Sequence, residues 1–167
     1  MYPCERFSEA HNASAFDSGD AELDDWLRKE AATSAARNIT RTYVWHDGGR
    51  VVAYYAVMPH SIEADDLPRR KRGGQSGTIP CYLIAKLALD RSLHRQGLGS
   101  QLLASAVARL AAGGEELGGR FIVVDALDER AASFYVHHGF SPLPGVEGRL
   151  VLAMKDVIAA LASAPPA

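Results

Sequence analysis

The most constraining feature of this chain is a short glycine turn, His94–Gly99, which reads H-R-Q-G-L-G. It follows an apolar segment that ends at Asp90 and precedes a stretch rich in alanine and leucine that begins at Ser100. Gly97 and Gly99 let the backbone turn tightly and approach an anion, while the N–H groups and positive dipole end of a following helix attract one. The order of strand, glycine turn and helix therefore predicts a cradle for the pyrophosphate of a cofactor.

The segments on both sides of the turn support this prediction. Residues 79–90 are apolar enough for a buried strand. After the turn, apolar residues recur at helical spacing, namely Leu98, Leu102, Leu103, Ala106, Val107 and Leu110. The spacing of the glycines differs from G-x-G-x-x-G and from G-x-x-x-x-G-K-[ST], which disfavours a dinucleotide fold and a P-loop.

Composition limits the possible partners. The chain has 167 residues, of which 47% are hydrophobic, and this is the size of one domain with an ample core. Because 18 basic residues nearly balance 20 acidic ones, only a local patch could bind nucleic acid. Such a patch exists at Arg69, Arg70, Lys71 and Arg72.

Cysteine usage and hydropathy indicate the compartment. The two cysteines, Cys4 and Cys81, show no metal-binding spacing such as C-x-x-C, and both are expected to be reduced, buried thiols. The N-terminus lacks the apolar core of a signal peptide, and no run of residues approaches the length of a membrane span. We therefore expect a cytoplasmic protein without a metal and without a membrane contact.

Periodicity and turn signals predict a mixed α/β domain. Strands are predicted at residues 2–7, 41–45, 50–57, 81–89, 121–124 and 150–154, and helices after the capping residue Asp20, at about 99–117 and at 129–138. His46–Gly49 is typical of a hairpin turn, so part of the sheet is antiparallel. Residues 62–78 are predicted to form an exposed, mobile loop, and residues 156–167 a frayed tail.

This order of elements resembles the GNAT superfamily of acetyl-CoA-dependent N-acetyltransferases. The acyl-CoA signature of that family, Gln or Arg followed by x-x-G-x-Gly or Ala, is similar to residues 94–99, with His94 at its first position. Asp128–Tyr135 and Gly139-Phe140 are similar to the family's N-x-x-A-x-x-F-Y and G-F pattern, with Asp128 in place of Asn. The resemblance implies a mixed α+β fold whose central, mostly antiparallel twisted sheet has a V-shaped split and is flanked by helices, in one domain over residues 1–155.

More specifically, the chain is similar to the GNAT toxins of bacterial toxin–antitoxin pairs. It departs from them at two motifs. Ala53 stands where the glycine of Gly-Tyr-Tyr is common, and Ala85 and Lys86 stand where the Gly-Arg of Gly-Arg-Leu-Ala-Val is common. The resemblance implies acetyl transfer from acetyl-CoA to the α-amino group of an aminoacyl-tRNA, which blocks translation, and it implies a ribbon-helix-helix antitoxin and a homodimer. The residues that carry it are His11, Phe16, Gly19, Leu23, Trp26, Leu27, Thr42–Val44, Ala53–Ala56, Leu87–Asp90, Val124–Ala126, Phe134 and Tyr135.

The same resemblance assigns roles within the site. Tyr135 would be the acid that protonates the departing sulfur, although a core aromatic residue is the alternative reading of this side chain. Main-chain groups of Leu87, Ala88 and Leu89 would bind the developing oxyanion and the pantetheine. The remaining cofactor contacts implied are His94, Arg95, Gln96, Gly97, Leu98, Gly99, Ser100, Asp128 and Phe134.

The lack of an obvious general base in the sequence indicates which type of amine accepts the acetyl group. No carboxylate is placed as an obvious general base, although Asp90 and Asp125 lie close to strand ends. An α-amino group titrates near pH 7.7 to 8.0, and esterification of its carboxyl group lowers this further, whereas a lysine amine titrates near 10.4. The missing base therefore favours an α-amine acceptor.

Several features allow a second, plainer interpretation. Arg69–Arg72 could contact tRNA phosphates or form a solvated loop, and Trp45, Tyr54 and Tyr55 could stack on tRNA bases or be half-buried sheet residues. The acidic residues 20–25 could bind a basic partner or suit the helix dipole. Two rival functions also remain: a metabolic N-acetyltransferase of a small free amine, and a non-catalytic module that binds coenzyme A.

Overall fold

The computed structural model describes residues 1–166. Its strands are β1 (Cys4–Arg6), β2 (Arg41–Asp47), β3 (Arg50–Glu63), β4 (Thr78–Leu89), β5 (Phe121–Asp125), β6 (Ser141–Pro142) and β7 (Arg149–Ala153). Its helices are α1 (Ala21–Lys29), α2 (Ala31–Ala36), α3 (Arg69–Arg72), α4 (Leu98–Leu117), α5 (Glu129–His137) and α6 (Met154–Ser163). Two 3-10 turns cover Ala64–Asp66 and Arg91–Leu93. The predicted mixed α/β class is confirmed.

The strands form one sheet in the order β1-β2-β3-β4-β5-β7-β6. The pairs β1/β2, β2/β3, β5/β7 and β6/β7 are antiparallel, so the expected, mostly antiparallel sheet is present. The contacts between residues divide the chain into two compact units. Unit 1 consists of Met1–Met58 and Ile84–Ala106, and unit 2 of Pro59–Leu83 and the described residues from Val107 onwards.

Unit 1 is organised around the hairpin of β2 and β3. Gly48 and Gly49 join the strands with φ angles of 54° and 90°, the backbone that a two-residue hairpin turn requires, and the predicted turn is confirmed. Helix α1 begins at Asp20, whose Oδ1 accepts hydrogen bonds from the N–H groups of Glu22 and Leu23. The core of this unit includes Phe16, Leu27, Ala31, Val44, Val51, Tyr54 and Ala88.

Unit 2 has a separate apolar core. The antiparallel pair β5 and β7 contributes Phe121, Val123 and Val151 to it. Further residues come from the segment that the sequence analysis treated as a loop and from the residues around β4 and β6, namely Ile62, Ala64, Leu67, Ile79, Cys81 and Leu143. Both cysteines are free thiols, but Cys4 is half-buried rather than buried as expected.

The prediction that residues 62–78 form an exposed loop is wrong for most of residues 62–72. Strand β3 continues to Glu63, a 3-10 turn and helix α3 follow, and β4 starts at Thr78. The reason is burial of Ile62, Ala64 and Leu67, which fixes a segment whose other residues are polar, glycine or proline.

The C-terminal region also differs from the expected tail. Helix α6 covers Met154–Ser163, and Met154 and Val157 are buried. Among residues 1–166, no helix is both long and apolar enough to cross a bilayer.

Candidate active site

The turn after β4 is held by the buried carboxylate of Asp90. Its Oδ1 accepts hydrogen bonds from the N–H (3.0 Å) and the hydroxyl (2.7 Å) of Ser92, and its Oδ2 accepts one from the N–H of Asp17 (3.1 Å). Burial alone would raise the pKa of Asp90, but the hydrogen bonds outweigh burial, so the pKa is lowered. The ionised carboxylate therefore fastens the end of β4 to two neighbouring segments.

Residues 94–97 carry the backbone from this turn into α4. The Nε2 of His94 lies 2.9 Å from the carbonyl oxygen of Leu89, and Gln96 donates to the carbonyl of Ser92 at 2.9 Å. Arg95 and Gly97 have φ angles of +61° and +73°, a region that favours glycine. A Cβ atom on Gly97 would meet no atom within 4 Å, so glycine is favoured here by the backbone conformation and not by a lack of space.

This turn presents a surface that suits an anion. The N–H groups of Leu98, Gly99 and Ser100 lie in the first turn of α4, at the positive end of the helix dipole. Two guanidinium groups and an imidazole lie around the adjacent cavity, and such groups bind phosphate. That cavity has a volume of about 450 Å³ and is lined by Ser18, Gly19, Arg91, His94 and Arg95.

Arg91 lines the same cavity, although no pattern in the sequence singles it out. Its Nε lies 3.2 Å from Oδ1 of Asp17, and its N–H donates to the carbonyl of Asp17 at 2.8 Å. A Cβ atom on Gly19 would lie 3.3 Å from the same Nε. The residues Phe16–Gly19, which read F-D-S-G, are typical of a turn, but the pairing of that turn with Arg91 is set by tertiary structure.

The strand before the turn is Leu87–Leu89, at the end of β4. Ala88 is buried in the core of unit 1, and Leu87 and Leu89 are half-buried. The side chains are therefore used for packing, as the plainer interpretation expected. The role of their main-chain groups in binding pantetheine stays a prediction.

Tyr135 lies in unit 2, on helix α5, inside an aromatic cluster. Its ring packs edge-on against Phe134 and Phe140, with centroids 5.3 and 5.5 Å apart. The side chain is 9% exposed, and burial raises the pKa of its hydroxyl to about 12. Within residues 1–166, no hydrogen bond engages that hydroxyl. Tyr135 thus keeps its proton at neutral pH and has it available for a ligand.

Two more predicted cofactor contacts lie on the same helix. The Oδ1 of Asp128 accepts a hydrogen bond from the N–H of Ala131 at 2.8 Å and caps α5. Phe134 packs against His138 as well as Tyr135. Unit 2 therefore brings Asp128, Phe134 and Tyr135 together, and unit 1 brings together Leu87–Leu89 and His94–Ser100.

The two carboxylates near strand ends are already engaged. Asp125 makes two hydrogen bonds to Arg149, at 2.8 and 2.9 Å, and Asp90 is bonded as described above. Arg149 also lies 3.1 Å from Nε2 of His60, and burial together with this cation lowers the pKa of His60. Asp90 and Asp125 therefore fit structural roles better than the role of a general base.

The basic residues 69–72 form the short helix α3. Arg72 turns inward, because its guanidinium donates to the carbonyls of Leu67 (2.9 Å) and Asp65 (3.2 Å). Arg69 and Arg70 are exposed, and Lys71 is half-buried. The segment is therefore an ordered turn. Within it, Arg72 mainly stabilises the turn through its hydrogen bonds to Leu67 and Asp65.

The aromatic residues proposed to stack on bases are buried. Tyr54 and Tyr55 are 0% exposed and Trp45 is 7% exposed, and the hydroxyl of Tyr54 donates to the carbonyl of Leu23 at 2.7 Å. This excludes them as an open stacking platform for bases and supports the plainer interpretation.

The acidic residues of α1 are likewise used within unit 1. Asp20 caps the helix, and buried Asp24 accepts hydrogen bonds from the N–H and hydroxyl of Ser18. Asp25 lies 3.3 Å from Arg28 and 3.4 Å from Lys29. The plainer interpretation is again favoured over a docking surface for a basic partner.

Glu5, His11 and His46 also lie together, which the sequence did not suggest. Oε2 of Glu5 is 3.3 Å from Nε2 of His11 and 3.5 Å from Nε2 of His46. The Nδ1 atoms of these histidines accept N–H groups from Ser8 and Gly49, so the hydrogens of the neutral rings are on Nε2. Because a metal would need those Nε2 atoms unprotonated, the cluster fits a carboxylate that lies beside two imidazoles, and Nε2 of His46 has no hydrogen-bond partner among the described residues.

Comparison with known proteins gives consistent results. The family described as acetyltransferase (GNAT) domain matches residues 38–142. The tRNA-acetylating toxin of Mycobacterium tuberculosis is 38% identical over 151 residues, which cover 90% of this chain and 91% of that protein.

Two solved structures are similar in fold. The structure of AtaT complexed with acetyl-methionyl-tRNAfMet has a TM-score of 0.89 and 26% identity, covering 96% of this chain and 99% of that one. The structure of AtaTR bound with AcCoA has a TM-score of 0.84 and 27% identity, covering 95% of this chain and 97% of that one. These similarities extend well beyond the glycine turn and take in nearly the whole chain.

Proposed function

Since this chain belongs to the GNAT acetyltransferase family, we propose that it moves the acetyl group of acetyl-CoA to the α-amino group of an aminoacyl-tRNA and thereby blocks translation as a toxin. The observation that carries this proposal is the 38% identity, over 90% of the chain, to a protein named as a tRNA-acetylating toxin. The solved relative in complex with acetyl-methionyl-tRNAfMet supports the same reaction.

Acetyl-CoA fits the residues of unit 1. Main-chain N–H groups from Gly97 to Ser100 bind the pyrophosphate, and His94 and Arg95 beside the cavity neutralise its charge. The solved relative bound with AcCoA supports this choice of donor. Gln96 holds the turn, and Leu87–Leu89 contact the pantetheine through their main chain. In unit 2, Phe134 and Asp128 are the further proposed cofactor contacts, Asp128 through the oxygen that does not cap α5.

Tyr135 donates its proton to the departing sulfur. The amine nitrogen forms a bond to the thioester carbon, the C–S bond breaks, the sulfur takes the proton of the Tyr135 hydroxyl, and water takes the surplus proton of the amine. The tyrosinate is then reprotonated from solvent. Because the pKa of Tyr135 is about 12, the hydroxyl remains protonated throughout the physiological range.

The engaged carboxylates favour an acceptor that needs no base. Asp90 and Asp125 are bonded within their own units. Much of an α-amino ester is already neutral at pH 7, whereas deprotonating a lysine amine there costs about 5 kcal/mol. In the basic segment, Arg69, Arg70 and Lys71 supply cations for the phosphates of the tRNA.

The partners follow from the same assignment. The chain is counteracted by an antitoxin, for which the solved complexes of AtaT with the C-terminus of AtaR give support. We propose a ribbon-helix-helix antitoxin, a homodimeric toxin and a cytoplasmic location, with residues 1–155 forming one catalytic domain.

The decisive experiment supplies labelled acetyl-CoA with either charged tRNA or free amino acids and small amines. We expect label in the charged tRNA. Incorporation into free amines alone would assign the chain to metabolism, and binding of acetyl-CoA without any transfer would make it a non-catalytic module.

Tyr135→Phe tests the catalytic step. We expect kcat to fall by about 10² to 10³, with the acetyl-CoA dissociation constant unchanged, because only the proton donor is lost. Tyr82→Phe is the matched control, since Tyr82 uses its hydroxyl to bond the carbonyl of Gly118 in the same unit. Equal activity of the Tyr135 variant and the wild type would remove Tyr135 from the mechanism.

A further inference from the structure

Arg120, directly before β5, fastens the basic segment in place. Its guanidinium donates to the carbonyl of Lys71 (2.9 Å), to the carbonyl of Arg72 (2.8 Å) and to Oε1 of Gln75 (2.9 Å). Helix α3 has only four residues, so its carbonyl groups would otherwise rely on water. Arg120 therefore converts a polar, glycine-rich stretch into a fixed turn.

The turn forms one side of a cavity in unit 2 with a volume of about 550 Å³. Its cations come from three separate parts of the sequence: Arg70 and Lys71 from α3, Arg120 before β5, and Lys155 from α6. One carboxylate, that of Asp156, also lines it. Four cations against one carboxylate give the cavity a positive charge that the nearly balanced chain as a whole lacks.

The rest of the cavity wall is apolar, and this affects the strength of the positive potential inside the cavity. Phe121, Val151 and Met154 line it but belong to buried positions, with exposures of 2%, 1% and 3%. A concave site that has apolar walls and is lined by charges of one sign concentrates the electric field. Because the exposed parts of the lining include the tips of Arg70 and Lys155, the cavity offers charge rather than an apolar docking groove.

We infer that this cavity, with Arg70, Lys71 and Lys155 as its cations and Arg120 as its positioning residue, binds a phosphate of the tRNA backbone. This inference rests on the proposed function and adds Arg120 and Lys155 to the tRNA site. Guanidinium and ammonium groups around a fixed concave surface suit a phosphate, whose charge the polynucleotide carries at every nucleotide.

The test compares tRNA binding at several salt concentrations in Arg70→Ala, Lys155→Ala and Arg37→Ala. Arg37 is exposed in unit 1 and lies outside the cavity, so it is the matched control. We expect each cavity variant to bind bulk tRNA about fivefold more weakly, and to lower the slope of log K against log salt by about one. The control should retain the wild-type slope, and all variants should bind acetyl-CoA like the wild type.

The outcomes separate this inference from the proposed function. If the wild type acetylates charged tRNA but both cavity variants keep its tRNA affinity and salt slope, the inference is wrong and the function stands. If the variants lose affinity for the antitoxin and not for tRNA, the cavity belongs to that protein partner and the inference is also wrong. Failure of the wild type to acetylate charged tRNA would instead overturn the function.

Discussion

The glycine turn of unit 1 and the basic segment of unit 2 look alike in sequence but are built differently. Both are rich in basic residues, and each contains or is directly followed by a glycine with left-handed backbone, Gly97 (φ +73°) and Gly73 (φ +61°). The turn is held by side-chain hydrogen bonds that span four and five residues, whereas Arg120 holds the basic segment across 45 to 49 residues. A site of the first kind is visible in a short stretch of sequence, and one of the second kind is not.

Through Asp90 the glycine turn also depends on a residue that is distant in sequence, Asp17. Of the changes predicted here, removal of the Asp90 carboxylate should have the largest effect on the protein. Asp90→Asn keeps an oxygen for Ser92 but turns an amide NH₂ towards the N–H of Asp17. We expect a loss of about 3 kcal/mol in the free energy of unfolding at pH 7, because a charged acceptor is removed from Ser92 and the N–H of Asp17 loses its partner. Urea denaturation measures this difference.

The pH dependence of that loss tests its electrostatic origin. The pKa of Asp90 is lowered in the folded protein, so its contribution is full above the unfolded value near 4 and disappears as the pH falls through the folded value. The gap between wild type and variant should therefore narrow below about pH 4. A gap between wild type and Asp90→Asn that stays constant in acid would show that packing, not charge, is responsible.

Asp128→Ala, which removes a single exposed helix cap, should lower the free energy of unfolding by only about 1 kcal/mol.

This contrast explains which predictions from sequence succeeded. The hairpin at Gly48-Gly49, the cap at Asp20 and the helix after Gly97 follow from local backbone chemistry, and the structure has all three. The loop at 62–78 was misjudged because its order depends on burying Ile62 and Leu67 and on Arg120. Arg91 and Lys155 were missed for the same reason, since nothing near them in the sequence indicates their neighbours.

A pair of glycine substitutions sharpens the comparison. Gly97→Val and Gly74→Val introduce the same strain, because the φ angles are +73° and +78° and neither position has an atom within 4 Å of an added Cβ. We expect Gly97→Val to weaken acetyl-CoA binding about thirtyfold, which corresponds to about 2 kcal/mol of strain at the cradle. Calorimetry should find acetyl-CoA binding unchanged in Gly74→Val. Equal losses in both variants would mean that strain acts globally and that the cradle has no special role.

The smallest effect is expected for Arg120→Lys, which separates charge from geometry in the basic segment. Lysine keeps the positive charge but lacks the planar fork that reaches two carbonyls and the Gln75 amide at once. We expect KM for charged tRNA to rise about fivefold, equivalent to about 1 kcal/mol, with kcat and acetyl-CoA affinity unchanged, because α3 loses its fixed position while the total charge is conserved. Steady-state kinetics at low and high salt measures this. A wild-type KM in the lysine variant would show that charge alone at position 120 is sufficient and that the distant clamp does not position the segment.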